Sequence, residues 1–299
     1  TVIDVATCDF KELHPTEGYK KMAALTLPSY RVEDLEGHAV EAKIEDLGAN
    51  FEYDLPKDKF RQARIARQVR VTVPVHLAPL SWTTFQLLEG EQEHRDGIYQ
   101  NGVIDTPFVT VSVDENITVY DKTTHEAYED VIRFEDRGDI GNEYIYFQPK
   151  GTEPIYAELK GYEVLENTAR FAKILLKHEL TIPVSADEKL DAEQRGIIEF
   201  MTREAGRSEE LTSVLLETEM TVFVDNPQIR FKTRFTNTAK DHRIRLLVKT
   251  HNTRPSNDSE SIYEVVTRPN KPAASWENPE NPQHQQAFVS LYDDEKGVT

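Results

Sequence analysis

Most of the side chains that could do chemistry lie in one short segment built around two glycines. Residues 134–147 read FEDRGDIGNEYIYF and combine carboxylates, a guanidinium, an amide and aromatic rings. Sugars present hydroxyl groups to such acceptors and donors, and an apolar face to aromatic rings. The segment could therefore line a sugar pocket. A glycine-containing turn with a solvated charged face explains the same residues, and chemistry alone favours that alternative.

A second polar cluster lies further along the chain, in residues 251–255 and 268–284. It contains His251, Arg254, Arg268, Trp276 and His284. Trp276 could stack on a sugar ring. It could equally anchor its own loop against a sheet, and this second interpretation is slightly favoured because long loops often pack on themselves.

The sequence gives no sign of catalytic or metal-binding residues of its own. The nine histidines show neither His-x-His nor His-x-x-x-His spacing, so we expect no metal site in this chain. No Gly-x-Ser-x-Gly elbow is present, and the single cysteine, Cys8, lies close to a terminus. A serine or cysteine triad is therefore not supported.

Composition excludes several classes of partner. The net charge of −18 comes from 53 acidic and 35 basic residues, which argues against binding to nucleic acid or to an anionic membrane. One cysteine excludes an intramolecular disulfide, and no apolar run or leader-like start is present, so we expect a cytoplasmic location. The chain opens without Met inside a strand-like stretch and stops in a turn, which we interpret as a fragment of a longer polypeptide.

Alternation with a period of two dominates the sequence and predicts an all-β protein. Residues 228–235 predict a half-buried strand with Ile229, Phe231, Thr233 and Phe235 on one side. The same pattern recurs at 65–75 and at 172–182. The residues predicted to face inward are Val69, Val71, Val73 and Val75 in the first stretch and Ile174, Leu176, Leu180 and Ile182 in the second. Further strands are predicted at 109–113, 118–120, 219–224 and 243–249. One helix is predicted over 187–204, ended by Gly206.

The charged, glycine-flanked stretch 88–98 is typical of a linker. It predicts two domains, a small β-sandwich over 1–92 and the N-terminal part of a larger β-domain over 93–299. The Pro/Asn/Glu-rich stretch 270–286 predicts one long irregular surface loop.

Four segments resemble glycoside hydrolase family 38, the retaining α-mannosidases. Residues 133–144 resemble the Asp-x-Gly-Asp-x-Gly-(Asp/Asn)-x-Tyr segment of its bacterial members, and 237–245 are similar to the family's Asn-x-x-x-Asp-His-Arg-Leu-Arg strand. Residues 108–123 and 262–269 also match. The four occur in the family's order across most of residues 95–299, which makes them more specific together than any one alone.

The resemblance implies an immunoglobulin-like β-sandwich followed by part of a galactose-mutarotase-like β-supersandwich, with one short helix. In the family an N-terminal α/β domain holds a zinc ion and an aspartate nucleophile, and hydrolysis proceeds through a glycosyl-enzyme intermediate. Neither that domain nor the helical bundle behind it has a counterpart in these residues. We therefore expect no catalytic residue and no cofactor in this chain, with zinc in the missing catalytic domain.

The resemblance also implies roles for the motif residues. The predicted sugar contacts are Asp136, Asp139, Asn142 and Tyr144, and the predicted residues of the pocket rim or domain interface are Arg137, Glu143 and Trp276. Asn142 stands where the family usually has an acid, which puts a charge-dependent role there in doubt. The motif could instead serve the interface with the catalytic domain, with Arg137 and Asp139 pairing across it.

The sequence therefore predicts a non-catalytic β-region of an α-mannosidase that supports the catalytic domain and lines the sugar pocket. Its expected partners are an α-mannoside or a mannose-containing oligosaccharide and the enzyme's own catalytic domain. An autonomous carbohydrate-binding module is the alternative, and a purely structural β-module is a third. The oligomeric state, including a homo-oligomer, stays open.

Overall fold

The computed structural model describes residues 1–10, 14–93, 95–271, 285–292 and 297–298. Contacts divide the chain into two compact units, Thr1–Arg95 and Asp96–Thr299. Antiparallel strands are the main element of the described residues and the helices are few and short, which confirms the all-β class. The domain limits at residues 92 and 93 stay a prediction.

The first unit contains two three-stranded sheets and one helix. One sheet has the order β1 (Val2–Asp9), β5 (Gln62–Thr72), β4 (Lys43–Asp54), and the other has the order β3 (Ala39–Val40), β2 (Tyr30–Glu33), β6 (Gln86–Glu89). Val32, Val69 and Val71 form one buried apolar cluster. Cys8, Met22 and Ile65 form a second, beneath helix α1 (Pro15–Ala23).

Helix α1 was not predicted, so the expectation of a single helix was wrong. Its start carries good signals: Pro15 occupies the first turn, and the His14 side chain accepts a hydrogen bond from the Thr16 amide at 3.4 Å. Only Gly18 and Met22 of the helix are buried, however. A nine-residue segment that buries two residues leaves no apolar stripe in the sequence to indicate it.

The predicted strand 65–75 is correct in type and wrong at its end. Val69 and Val71 are buried as expected, but β5 stops at Thr72 and Val75 is exposed. Pro74 has no amide hydrogen to donate to a neighbouring strand, which explains why pairing does not continue.

The second unit is built from four sheets. The five-stranded sheet has the order β11 (Glu126–Tyr128), β10 (Ile117–Asp121), β9 (Val109–Val113), β8 (Val103–Asp105), β7 (Tyr99–Gln100). A four-stranded sheet follows the order β14 (Glu158–Asn167), β15 (Phe171–Pro183), β16 (Leu211–Phe223), β17 (Ile229–Phe235).

The other two sheets are smaller. A three-stranded sheet places β12 (Arg133–Gly138) between β13 (Ile155–Tyr156) and β18 (His242–Leu247). The last sheet has the order β20 (Glu264–Pro269), β19 (Ser256–Ser261), β21 (Val289–Tyr292), β22 (Gly297–Val298).

Strand β15 supplies the centre of this unit's core. Its alternate residues Ile174, Leu176, Leu180 and Ile182 are fully buried, which confirms the predicted inward face. The first two pack in a cluster with residues of β9 and β10, and the last two in a cluster with Phe134 of β12. Sheets packed face to face therefore share the apolar side of one long strand.

Strand β17 forms as predicted but is not half-buried. Its register sets Phe231 opposite Met220 and Phe235 opposite Leu216, so both aromatic rings are on the core-facing side. They remain 37% and 48% exposed, because β17 is the outermost strand of its sheet and the core ends beneath β16.

The predicted helix 187–204 is cut short. Helix α2 spans Glu188–Arg195, with Asp187 accepting from the Lys189 amide at 3.0 Å at its start. It ends at Gly196, because Ile197 takes a left-handed φ of 54° that no helix can continue. A single 3-10 turn, Phe200–Thr202, follows. Neither helix of the described chain is long and apolar enough to cross a bilayer.

His178 is a titratable residue within the core. It lies on the inward face of β15, is 4% exposed, and meets the ring of Phe134 edge-on at 5.2 Å between centroids. Within the described residues its Nδ1 has no hydrogen-bond partner. Burial lowers the pKa of His178 below the ordinary 6.5, and the nearby Asp130 carboxylate opposes this only in part.

We expect His178 to make the protein less stable in mild acid. The unfolded chain takes up this proton near pH 6.5 and the folded chain only at lower pH, so the free energy of unfolding falls as pH drops below about 6.5. In His178→Leu this part of the decline should disappear, whereas His76→Leu, at an exposed position, should keep it. Urea unfolding at about pH 7.5 and about pH 5.5 measures the difference, and equal slopes in all three proteins would contradict the expectation.

Candidate functional site

The two motif segments predicted by the family resemblance lie side by side in one sheet. Strand β12 pairs antiparallel with β18, so Asp136 faces Ile244 and Gly138 faces His242. The segment that follows β12, residues 139–147, is here called the motif loop. Its first residue is tied to the start of β18, because the Asp139 amide donates to the Asp241 carbonyl at 2.8 Å.

Asp136 is the fully buried centre of a charged network. Its Oδ2 accepts from Arg207 Nη1 at 2.6 Å, and its Oδ1 lies 2.6 Å from His242 Nδ1. The other ring nitrogen, His242 Nε2, lies 3.0 Å from Asn237 Oδ1, which also accepts from the Ala239 amide. Both ring nitrogens therefore lie within hydrogen-bond distance of an oxygen atom.

This geometry assigns Asp136 a positioning role instead of the predicted sugar contact. A carboxylate with no exposed surface, whose two oxygens are already bonded within the protein, offers no acceptor to a ligand.

A second buried carboxylate, Glu135, points to the opposite side of β12. Arg245 Nε donates to its Oε1 at 2.9 Å, and Arg137 Nε donates to the same oxygen at 3.0 Å. Burial by itself raises the pKa of Glu135, but the hydrogen bonds from Arg245 and Arg137 lower it below its ordinary value. Arg137 also donates to Gln148 Oε1 at 2.9 Å, so the structure engages this predicted rim residue within its own unit.

Two short polar side chains shape the motif loop from within. Asp139 Oδ1 accepts from the amides of Gly141 at 2.9 Å and Phe147 at 3.1 Å. Asn142 Oδ1 accepts from the amides of Tyr144 and Ile145, both at 2.9 Å. Such side-chain-to-backbone bonds fix the turns of a loop. Asn142 needs no negative charge for this role.

The turn demands glycine at residue 141. A Cβ placed there would lie 1.8 Å from the Ile145 carbonyl oxygen, far inside contact distance. Arg203, itself only 7% exposed, binds the loop from below by donating to the Gly141 carbonyl at 2.7 Å and to the Ile140 carbonyl. The loop is therefore held by the rest of the unit, independently of any ligand.

The held loop presents Glu143 and Tyr144 to solvent. Tyr144 is 88% exposed, the behaviour expected either of a surface tyrosine or of a ring that stacks on a ligand. The other predicted ring, Trp276, lies outside the described residues. In the second polar cluster, Arg254 donates to Asp258 Oδ2 at 3.0 Å, and the His251 ring stacks on Tyr128 at 4.9 Å between centroids.

A cavity of about 780 Å³ opens beside the motif loop. One wall is polar, and the residues that form it are Asp139, Gly141, Asn142, Glu143, Asp241 and His242. The facing wall is largely apolar and consists of Leu190, Ile197, Ile198 and Phe200, together with Gln194, Glu199 and Arg203. The structure thus brings Asp139, Asn142 and Glu143 to one cavity but leaves Asp136 below it and Tyr144 outside its lining.

Sequence reasoning missed the apolar wall because it assigned 187–204 to one continuous helix. A continuous helix would have turned these residues inward as an apolar stripe. The signal that could have corrected this is Arg195-Gly196, a basic residue and a glycine that are typical of a helix end.

One group of described residues has the composition of a metal site. Asp34, Glu36 and His38 in the first unit bring three potential ligand atoms within 4.8 Å of one another. Asp34 already accepts from the amides of Glu36 and His38 and lies 3.0 Å from His38 Nδ1, and the other two side chains are exposed. The family resemblance implies zinc in the missing catalytic domain and not in this turn, where the Asp34 carboxylate already accepts from two backbone amides.

We expect removal of the Asp136 carboxylate to cost about 3–5 kcal/mol of unfolding free energy, because Arg207 would be left as a buried unpaired cation and His242 Nδ1 would lose its partner. The matched control is Asp105→Ala, which removes a pair of similar length from a side chain that is 66% exposed and should cost far less. Urea unfolding of Asp136→Ala and Asp105→Ala measures both. Equal losses would show that the buried network has no special weight.

Known protein families match both units of the chain. Residues 1–89 match the family described as glycosyl hydrolases family 38 C-terminal domain 1, and residues 104–299 match the glycosyl hydrolases family 38 C-terminal domain. A relative from Halalkalibacterium halodurans named "Putative mannosylglycerate hydrolase" is 32% identical over 293 residues, which cover 93% of this chain and 32% of the relative.

Two solved structures from Enterococcus faecalis have the same fold. An alpha-mannosidase superposes with a TM-score of 0.86 at 37% identity, covering 98% of this chain and 34% of that protein. A glycosyl hydrolase family 38 protein superposes with a TM-score of 0.79 at 32% identity, with 98% and 35% coverage. This chain spans about a third of the length of these relatives. The chain belongs to glycosyl hydrolase family 38 and corresponds to the C-terminal β-region of that family.

Proposed function

We propose that this chain is the non-catalytic β-region of a longer retaining α-mannosidase, in which its motif loop completes the sugar pocket. The observation that carries the proposal is the motif loop itself, which is fixed by its own hydrogen bonds next to a cavity of about 780 Å³. A loop held in this way keeps its shape without a ligand, as a preorganised binding surface requires. Both solved structures named above belong to mannosidase or family 38 proteins, which supports an α-mannoside as substrate.

The residues present in this chain determine what it can contribute to the reaction. When bound in the catalytic domain, zinc would supply charge stabilisation at the sugar, and the nucleophile belongs to the same domain. This chain's residues would bind and orient. Glu143 can accept from sugar hydroxyls, Asp139 holds the loop in shape, the exposed Tyr144 ring can cover an apolar sugar face, and the loop as a whole can exclude water.

Tyr144→Ala should lower kcat/KM for an aryl α-mannoside by roughly three- to tenfold, the loss expected for one aromatic contact. The assay uses a zinc-supplemented polypeptide that joins this chain to the family's catalytic domain. The matched control is Tyr263→Ala, another fully exposed tyrosine, which lies at the tip of the β19–β20 hairpin and should leave activity unchanged. Equal effects of the two substitutions would contradict a pocket role for Tyr144.

Asp139 provides a test of loop shape. Asp139→Ala removes the acceptor for the Gly141 and Phe147 amides and should reduce kcat/KM strongly, whereas Asp139→Asn keeps a carbonyl acceptor and should retain most of the activity. If Asn were as damaging as Ala, the carboxylate charge and not the loop shape would matter.

Assays of this chain alone and of the joined polypeptide distinguish the proposed function from an autonomous carbohydrate-binding module. This chain alone should neither hydrolyse nor bind a mannoside detectably by calorimetry. Binding by the chain alone, lost in Tyr144→Ala, would favour an autonomous carbohydrate-binding module. A joined polypeptide that is inactive on every α-mannoside offered would exclude the mannosidase proposal.

A further inference from the structure

The cavity beside the motif loop carries an excess of negative charge. Four carboxylates belong to its lining: Asp139, Glu143, Glu199 and Asp241. Glu143 and Glu199 are exposed, and Asp241 Oδ2 accepts from the Ala186 amide at 3.0 Å. Hydrogen bonds from backbone amides stabilise a carboxylate without neutralising it. A ligand in the cavity would therefore meet a negative potential on two sides.

The Arg203 guanidinium and the His242 ring of the same lining already have hydrogen-bond partners within the protein. Arg203 donates from Nε to the Ile198 carbonyl at 3.3 Å and from Nη1 to the carbonyls of residues 140 and 141. His242 lies between Asp136 and Asn237. Both side chains are nearly buried, so neither is placed to form the forked pair with a ligand carboxylate that anion sites normally use.

The facing wall offers the opposite chemistry. Ile197 is 90% exposed and holds a left-handed φ of 54°, which is costly for a β-branched residue. Ile198 and Phe200 continue this wall. Isoleucine in a conformation that suits glycine or asparagine suggests that the side chain is needed at this place, because a smaller residue would relieve the strain.

A sugar ring has the matching two-sided chemistry. Its hydroxyls donate to carboxylates and its C–H face packs on apolar side chains, and a cavity of about 780 Å³ is of the size that small-molecule ligands occupy. A short anionic group such as glycerate has no sugar ring to place on the apolar side chains, and the guanidinium of this lining, Arg203, is already bonded to backbone carbonyls.

We propose that this cavity receives a neutral sugar as the leaving-group side of the substrate, and that its carboxylates discriminate against α-mannosides whose aglycone carries a carboxylate. The inference rests on the proposed function and names its substrate class. The proposed preference differs from the activity in the name of the Halalkalibacterium relative, because mannosylglycerate has an anionic aglycone. Repulsion of the wrong substrate gives specificity as effectively as attraction of the right one.

The test uses the zinc-supplemented polypeptide that joins this chain to the catalytic domain, with three substrates: an aryl α-mannoside, α-mannobiose and α-mannosylglycerate. We expect kcat/KM to be at least tenfold higher for mannobiose than for mannosylglycerate at about 0.05 M salt, and this ratio to shrink at about 0.5 M salt as charges are screened.

Two sets of variants locate the effect. Glu143→Gln and Glu199→Gln should each raise the relative activity on mannosylglycerate by roughly two- to fivefold, the change expected for one solvated charge at several ångströms. Glu264→Gln, an exposed acid on β20, should leave the ratio unchanged.

Ile197→Asn keeps the backbone conformation, since asparagine tolerates a left-handed φ, and should raise KM for mannobiose more than for the aryl mannoside. Tyr263→Asn, at another exposed left-handed position, is its control.

The outcomes separate the inference from the function beneath it. Cleavage of the aryl mannoside with a preference for mannosylglycerate, or glutamine variants that change all substrates equally, would overturn the inference and leave the mannosidase standing. Failure on all three substrates would overturn both. A preference for mannobiose that falls on removal of either carboxylate would support both.

Discussion

The Asp136 carboxylate is the constraint on which the arrangement of the site depends. It is fully buried, and its two oxygens hold a residue from the segment before β16 and a residue from the start of β18. Moving either partner away would leave the buried carboxylate without it, so Arg207 and His242 cannot move independently of Asp136. Gly138, two residues further on, lets Arg207 pass, because a Cβ there would lie 2.9 Å from its Cδ.

The position of the motif loop depends on these contacts of Asp136. It begins where β12 ends, is tied to β18 through the Asp241 carbonyl, and is supported from below by Arg203. Asp241 in turn accepts from the Ala186 amide just before helix α2. The two walls of the cavity are therefore parts of one hydrogen-bonded structure, and the distance between them is set by the protein and not by a ligand. Side chains that line such a cavity can discriminate between ligands because the protein holds them in place and they do not move to fit a poorly matched ligand.

Exposed apolar residues elsewhere indicate where the described chain is not covered. Phe231 and Phe235 of β17 are on the core-facing side of their sheet, and Phe51 and Tyr53 of β4 form an exposed aromatic pair at 4.9 Å between centroids. Relatives about three times as long contain further polypeptide. Apolar faces of this kind are typical of surfaces that another part of a protein covers.

The sequence by itself determined the strands whose one face is buried. In β15, alternating apolar residues predicted the inward face without error, because a strand between two packed sheets has a period of two and a continuous core on one side. The resemblance of four ordered segments was sufficient to indicate the family. Chemistry alone favoured a solvated turn for the motif loop, and it was the family resemblance that predicted a functional role for it.

The sequence could not decide what each side chain of the motif does. Asp136 and Asp139 are three residues apart and of the same type, but one lies buried between Arg207 and His242 and the other shapes a loop at the surface. Their roles depend on Arg207, His242 and the amide of Phe147, which are up to 106 residues away along the chain. The apolar wall was hidden in the same way, because a single left-handed residue, Ile197, ended a helix that the apolar pattern would have continued. Local pattern determined the strands, whereas only long-range packing and backbone conformation decided which charges are paired and which face the cavity.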